Sequence, residues 1–218
     1  MTTKRLACSL SLRERARVRA ATLLACALLA SCAASKPDRF HTLLASDAPA
    51  PVSAPSAAPI AIDVLPVTVP AYADQPQWVL RAADDSLIVL EQERWAAPLR
   101  EELRSALTER LVARWGAADA RTLARPAATT WQVRVDVQRF ESIPGREARI
   151  DSLWSLASSA RASVALGCRS SIRESVSDGG VPALAAAHRR AVARLADEIG
   201  QRLQTLQRGE PTACASNP

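Results

Sequence analysis

The sequence predicts an α+β fold, in which a largely antiparallel sheet carries two long helices packed on one face. Two observations lead to this prediction. Segments typical of strands and of helices follow one another in the order strands, helix, strands, helix, which indicates helices layered on a sheet. Both helical segments repeat apolar residues every three or four positions on one side, as helices that cover a sheet do.

Residues 1–31 have the features of a bacterial lipoprotein signal peptide. Six of the 28 Lys and Arg residues lie in this stretch. An apolar run over residues 20–29 has signal-peptide length and is too short to span a bilayer as a helix. The run closes on Leu29, Ala30, Ser31 and Cys32, a lipobox in which a small residue precedes a cysteine whose thiol receives diacylglycerol. We expect cleavage after Ser31 and lipidation of Cys32.

Two other interpretations of this region stay open. An ordinary cleaved secretory signal would leave Cys32 without lipid. A second lipobox ends at Cys26, but its apolar region would have only about six residues, below the usual range. With Cys32 as the first mature residue, residues 32–38 form a lipidated tether, and residues 39–208 form a single domain.

The strands before the first helix are indicated by alternation and by turn residues. Residues 39–44 are typical of a first strand, and the Ala-, Pro- and Ser-rich stretch 48–59 is predicted to be a flexible loop. Residues 60–64 alternate as a strand does. Residues 78–81 and 87–90 lie five residues apart, which predicts a hairpin.

The first helix is predicted over residues 95–115, because leucines recur there at every fourth position. Pro98 would lie in its first turn, where a missing N–H costs little, and Gly116 would end it. Residues 131–138 then alternate valines with polar side chains and form the clearest half-buried strand. A turn is expected at residues 142–145.

Two more strands and a second helix complete the domain. The strands are predicted over residues 150–156 and 162–168, and Asp178–Gly180 breaks the pattern before the helix. The second helix has an apolar stripe of about 25 residues, made of Leu184, Val192, Leu195, Ile199, Leu203 and Leu206. The tail over residues 209–218 is expected to fray.

Two of the five cysteines are left in the mature chain besides Cys32. Cys168 and Cys214 would meet an oxidising compartment, where disulfides persist. A bond between them would close a loop of about 45 residues and contribute roughly 4 kcal/mol in the chain-entropy model. The alternative is a pair of free thiols.

The net charge of +6 arises mostly from the signal peptide. Without residues 1–31, which hold six bases and one acid, 22 bases face 21 acids and the net charge is +1. The mature chain therefore lacks the general basic character of a nucleic-acid binder, and we expect no nucleic-acid partner.

Residues for catalysis are scarce. The histidines of the mature chain are His41, which is given no catalytic role, and His188, which lies beside two arginines and is predicted to be a solvated helical residue. The cysteines lack the paired spacing of a zinc site, and no glycine-rich phosphate loop occurs. We therefore expect no enzymatic activity, no cofactor and no metal.

Acidic residues cluster around the predicted hairpin. A pair of carboxylates could belong to a glycosidase, but such clusters are common on solvated surfaces, and we favour a solvated turn and edge. The cluster consists of Asp84, Asp85, Glu91 and Glu93.

Trp78 and Trp95 are candidate partner anchors, because tryptophan is enriched among interface hot spots. Each could equally belong to the core. With the neighbouring Arg81 and Pro98 they make up the candidate partner-binding residues.

The stretch Tyr72–Arg81, followed by the Trp-Ala-Ala-Pro-Leu run at 95–99, resembles the ABC-type transport auxiliary lipoprotein family, the PqiC/YmbA group. The Cys32 lipobox and the segments 40–43, 64–70 and 133–140 occur in the order found in that family. Together these segments extend over most of the mature chain.

The resemblance implies an outer-membrane lipoprotein that faces the periplasm and is held by its N-terminal lipid. Its expected partners are an MCE-domain (mammalian cell entry) protein, which forms a hydrophobic conduit between the membranes, and an inner-membrane permease and ATPase. Such systems move phospholipids or related lipids. The lipoprotein would be a non-catalytic docking subunit, assembled as a homo-oligomeric ring at the conduit tip.

Another kind of envelope lipoprotein remains an alternative. A lipopolysaccharide assembly factor or a peptidoglycan-synthase activator can share a small layout of one sheet and two helices, and a fold does not decide between such functions. A periplasmic hydrolase is disfavoured, because the chain lacks a nucleophile and base pair.

Overall fold

Two sheets and two helices make up the fold in the computed structural model, which describes residues 36–44, 60–160 and 164–214. The predicted signal peptide, Cys32 and the stretch 48–59 lie outside the described residues. The chain divides into the units Met1–Pro37 and Asp38–Pro218. All elements below belong to the second unit.

In chain order the elements are β1 (Arg39–His41), β2 (Ala61–Val64), β3 (Gln77–Arg81), β4 (Leu87–Trp95), α1 (Leu99–Trp115), β5 (Ala118–Asp119), a 3-10 turn (Ala120–Thr122), β6 (Thr130–Ile143), β7 (Glu147–Ser158), β8 (Val164–Ser175) and α2 (Val181–Gln207). The α+β class predicted from the sequence is confirmed.

The strands form two mixed sheets, which refines the expectation of one largely antiparallel sheet. The three-stranded sheet has the order β1-β4-β3, and the five-stranded sheet has the order β5-β2-β6-β7-β8. The hairpin β3–β4 and the meander β6–β7–β8 are antiparallel. The short strands β1, β2 and β5 add in parallel, because the chain crosses over to another element before each pairing is made.

Trp95 ends a strand in the structure, although the sequence placed it at the start of the first helix. Its backbone N–H donates to the Pro76 carbonyl at 2.9 Å, and the N–H of Ala96 donates to the His41 carbonyl at 2.8 Å. These sheet bonds extend β4 five residues past the predicted apolar run, which ended at residue 90. Pro98 is the N-cap of α1, and Gly116, with φ of 65°, is the left-handed C-cap that the sequence predicted.

The meander strands are longer than predicted. β6 continues to Ile143, and its pairing with β7 shifts register between Val137 and Arg139. Beyond this shift, the inward and outward positions of the strand alternate with an offset of one residue. Phe140 therefore follows the valines onto the buried face. β8 continues to Ser175, seven residues beyond the predicted end, because β7 pairs with it as far as Glu147.

The helices lie side by side across the five-stranded sheet. Helix α1 packs against β2 and β5, whereas α2 packs against β7, β8 and α1. The core between these layers is made by the periodic apolar residues, of which the largest fully buried are Trp78, Ile62, Leu99, Leu103, Leu107, Leu111, Ile150, Leu156, Ile172, Leu184, Leu195 and Ile199. Within the described ranges, neither helix is long and apolar enough to cross a membrane.

Candidate functional site

Trp78 and Trp95 are core residues in the structure. Their side chains are 0% and 5% exposed, and their rings stack with centroids 4.1 Å apart. The hairpin β3–β4 and the preceding β1 bring them together above β6, where Phe140 meets Trp95 edge to face. This burial bears on the two alternatives that the sequence left open for each indole, a partner anchor or a core residue. It favours the core alternative for both.

His188 is buried, which corrects the expectation of a solvated helical histidine. It is 0% exposed, its ring stacks on Phe140 with centroids 4.0 Å apart, and its Nε2 lies 2.9 Å from the Ser142 hydroxyl. The neighbouring arginines point elsewhere: the Arg189 guanidinium donates to the Thr42 carbonyl at 3.0 Å. His188 lies four residues from Leu184 and from Val192, so its place on the apolar stripe was the signal that sequence reasoning missed.

Burial lowers the pKa of His188 from 6.5 to about 3. The imidazolium would lose its hydration without gaining a carboxylate partner, so the neutral ring is favoured. Nδ1 of the ring has no hydrogen-bond partner among the described residues. A neutral ring enclosed among aromatic side chains is a packing element of this cluster.

Glu102 ties the segment around β1 to helix α1. It is 4% exposed, and its Oε2 accepts hydrogen bonds from the Thr42 hydroxyl and from the backbone N–H of Leu43, both at 2.7 Å. A buried carboxylate needs such donors. Glu102 lies in the first turn of α1, which begins at Leu99. Its hydrogen bonds therefore hold the residues that follow β1 against the start of this helix.

Arg81 forms a partly buried ion pair with Glu141. Its Nε donates to the carboxylate at 2.8 Å and its second terminal nitrogen lies 2.7 Å away, while the Glu141 side chain is only 4% exposed. Arg81 itself is 24% exposed. The pair joins the hairpin β3–β4 to the end of β6, so Arg81 has a structural contact that the motif alone did not reveal.

A surface cavity of about 330 Å³ opens beside this ion pair. Its lining has four arginines and two acids, and the cations exceed the anions there. Arg149 is held by Asp151, with its NH2 group 2.7 Å from the carboxylate. Desolvation opposes the ionisation of Asp151, but hydrogen bonds from Arg149 and Ser171 outweigh it and lower the pKa. The arginine lining consists of Arg81, Arg139, Arg146 and Arg149.

The acidic cluster at the hairpin divides between turn and sheet. The Asp84 carboxylate accepts hydrogen bonds from the hydroxyl and backbone N–H of Ser86, which lower its pKa. Asp85 has a φ of 65°, typical of a turn residue. Glu93 pairs with Arg39 and lies 2.5 Å from His41 Nε2. The contacts of Asp84 and Asp85 fit the expected solvated turn, whereas Glu93, 17% exposed and in the central strand of its sheet, does not lie at a solvated edge.

Cys168 and Cys214 form a disulfide, with Cα atoms 5.4 Å apart. The bond ties the chain after α2 to strand β8. Among the described residues, no group of three or more His, Cys, Asp or Glu side chains is placed to hold a metal ion.

The remaining predicted partner residue, Pro98, is exposed at the start of α1. Beside it the Arg100 guanidinium is 50% exposed and pairs with Asp74. Pro98 is thus exposed, as are Asp74 and Pro76 of the motif, whereas the two tryptophans lie beneath the surface.

Comparisons with solved structures show the same fold in other proteins. A crystal structure of a DUF330-family protein from Xanthomonas campestris has a TM-score of 0.64 and 20% identity, and the match covers 78% of this chain and 98% of that one. A crystal structure of an uncharacterized protein has a TM-score of 0.60 and 17% identity, over 77% of this chain and 99% of the other. The search of curated proteins gave no match.

The family comparison is more specific than the fold. The family model described as the ABC-type transport auxiliary lipoprotein component matches residues 41–200, which include all of α1, most of α2 and most of both sheets. The match begins at His41 in β1 and ends at Gly200 in α2. The chain therefore belongs to the family of ABC-type transport auxiliary lipoprotein components.

Proposed function

We propose that this protein is an outer-membrane lipoprotein, anchored through Cys32, that serves as a non-catalytic docking subunit of an MCE-type, ABC-associated lipid transport system. The observation that carries the proposal is the family match over residues 41–200. The lipobox at residues 29–32 supports the anchoring. The partners would be an MCE-domain protein and the inner-membrane permease and ATPase of the same system.

The lipid anchor explains how weak protein–protein contacts would be enough for assembly. Acyl chains contribute about 0.8 kcal/mol for each buried CH₂ group, so two or more chains hold a domain on the membrane. Confinement to a surface raises the effective concentration of the copies for one another and for a conduit tip. The proposal therefore includes a homo-oligomeric ring around that tip.

The Pro98 corner is an exposed part of the motif and is therefore available for a protein partner. Trp78 and Trp95 would act indirectly, because they support the hairpin from beneath. Arg81, partly exposed, is committed to Glu141 and holds the cavity wall. A partner contact is therefore assigned to Pro98 and its neighbour Arg100.

Co-purification tests the proposal. The tagged full-length protein is extracted from envelopes in detergent, and the retained proteins are identified by mass spectrometry. We expect the MCE-domain protein together with its permease and ATPase. A Pro98→Ala, Arg100→Gln variant should retain less of the MCE protein, whereas Arg134→Gln, a change at an exposed position of β6, should not.

Two outcomes would contradict the proposal. Retention of lipopolysaccharide-assembly proteins or of a peptidoglycan synthase in place of the MCE protein would assign the chain to another envelope function. Processing that is unaffected by globomycin, or a Cys32→Ser protein that stays in the membrane fraction, would contradict the lipid anchor.

A further inference from the structure

The end of the hairpin β3–β4 presents three consecutive apolar side chains to solvent. Leu87, Ile88 and Val89 are 42%, 46% and 41% exposed. Consecutive strand residues point to opposite faces, so both faces of the hairpin are apolar at this end. In the described part of the chain, β1 pairs only with Glu93–Trp95, which leaves the outer edge of β4 uncovered over residues 87–92.

The arginine-lined cavity adjoins this apolar end. Arg81 pairs across the hairpin with Leu87, and Asp85 of the turn also lines the cavity. Two of the cavity arginines, Arg81 and Arg149, are engaged by carboxylates at 2.7 Å. The hairpin end therefore has exposed apolar side chains and a set of cations directly beside them.

The other two arginines are much less engaged. Arg139 and Arg146 have side chains 47% and 68% exposed. The carboxylate contacts of Arg139 are 3.4 Å to Asp151 and 3.7 Å to Glu141. The contact of Arg146 with Glu147 is 3.6 Å. Guanidinium groups at these distances keep N–H donors for an external anion, and their planar fork matches a phosphate.

Strand β1 enters the three-stranded sheet from the end where the β3–β4 turn lies. Because β1 runs parallel to β4, with Arg39 opposite Glu93, the chain arrives at β1 from the side on which β4 begins. Leu87 lies six residues before Glu93, about 20 Å along the strand. Cys32 precedes Arg39 by seven residues, which span at most about 25 Å. A lipid on Cys32 and the hairpin end are therefore within reach of one bilayer.

We propose that this hairpin end, defined by Leu87, Ile88, Val89, Arg139 and Arg146, is a membrane-contact surface. The three apolar side chains enter the interfacial layer of the bilayer, while the two arginines bind the phosphates of anionic lipid headgroups. The occupant is the membrane that holds the lipid anchor, so the inference rests on the lipidation of Cys32 proposed above. The contact would hold the domain in one orientation on that membrane.

A fluorescent label at the hairpin end tests the inference. The full-length lipidated protein, with a single environment-sensitive label at Ile88→Cys, is reconstituted into vesicles of phosphatidylcholine and phosphatidylglycerol that carry a quencher on the acyl chains. We expect the lipid-borne quencher to quench this label at least threefold more than a label at Val112→Cys. Equal quenching at the two positions would overturn the inference.

Val112 is a matched control, since it is 39% exposed and apolar. It lies near the end of α1, which leads into β5, and β5 pairs with β2 at Ala61. Ala61 is opposite Thr130, the first residue of β6, whereas Arg139 lies nine residues further along that strand. The separation along β6 is about 30 Å, so a bilayer that touches one end of the domain leaves the other in water.

A second arm tests the headgroup contact. Arg139→Gln with Arg146→Gln should reduce the quenching at residue 88 at least twofold in anionic vesicles. The control pair Arg125→Gln with Arg134→Gln removes the same charge at exposed positions outside the cavity and should not reduce it. If both pairs reduced the quenching equally, the assignment of Arg139 and Arg146 to the headgroup contact would be overturned. The overall charge of the protein would then account for the effect.

Further measurements separate the remaining outcomes. Shielding of the Ile88 label that grows with the number of protein copies per vesicle, without lipid quenching, would assign the hairpin end to a second copy and overturn the inference. Vesicle flotation reports on the lipid anchor independently of the label. Protein that floats without quenching at residue 88 overturns the membrane-contact surface alone, whereas protein that fails to float overturns the lipidation of Cys32 and the inference with it.

Discussion

Replacing His188 with glutamine is expected to remove a large part of the acid sensitivity of this domain. In the folded protein the pKa of His188 is about 3, against 6.5 for an unperturbed histidine. Between these values the unfolded chain binds a proton that the folded chain excludes. The stability conferred by the neutral ring is therefore fully present above pH 6.5 and is lost as the pH falls toward 3.

The size of the effect follows from the two pKa values. At pH 5 the unfolded histidine is mostly protonated, and the resulting loss in the free energy of unfolding relative to pH 8 is about 2 kcal/mol. Glutamine at position 188 has no titrating group and still offers a partner to the Ser142 hydroxyl. The variant should therefore lose about 2 kcal/mol less than the parent between pH 8 and pH 5.

Urea unfolding at constant ionic strength, followed by tryptophan fluorescence, measures this difference on the mature chain carrying Cys32→Ser. A second variant, His188→Leu, leaves the Ser142 hydroxyl without its partner and should lower stability by about 1–3 kcal/mol at every pH. It should nevertheless show the same reduced pH dependence as the glutamine variant. If the free energy of unfolding fell by the same amount between pH 8 and pH 5 in the parent and in both variants, the reasoning would be refuted.

Other substitutions test the packing and the covalent link. A Cβ at Gly200 would lie 2.5 Å from the Trp115 ring, so Gly200→Ala should lower the free energy of unfolding by about 1–3 kcal/mol; a gain of about 1 kcal/mol, as helix propensity alone predicts, would contradict the close approach. Trp95→Ala should lower the free energy of unfolding by about 3–5 kcal/mol in urea, because it removes one of two stacked, buried indoles. An unchanged urea midpoint would contradict the burial of Trp95. Cys214→Ser should cost about 4 kcal/mol, from the 46-residue separation that the disulfide closes, and unreduced peptide mapping that finds the two cysteines unlinked would rule out the bond.

Much of the fold could be predicted because it depends on local periodicity. The leucines of α1 and the valines of β6 mark their elements with the helical and strand repeats, and Gly116 marks a helix end. Where an element is extended by pairing with a distant strand, the local pattern was insufficient. β4 reaches Trp95 because β1 and Pro76 supply its partners, and neither partner is recognisable from the residues of β4 itself.

The aromatic cluster was harder to predict, since its residues come from four separate elements of the chain. Trp78, Trp95, Phe140 and His188 are separated by up to 110 positions, and each is ambiguous alone. Tryptophan serves equally in cores and at interfaces. The position of His188 on the apolar stripe of α2 was informative, but the adjoining arginines masked it, because long charged side chains can bend away while their neighbours stay buried.

By itself, the sequence determined the class of the fold, the order of its elements and the membership of a lipoprotein family, because those properties reside in short patterns that survive without knowledge of distant contacts. Only the tertiary structure decided which side chains reach solvent. It buried two tryptophans and a histidine, and it gathered four arginines beside the apolar end of a hairpin. Exposure is a property of packing between segments far apart in the chain, so no local pattern specifies it.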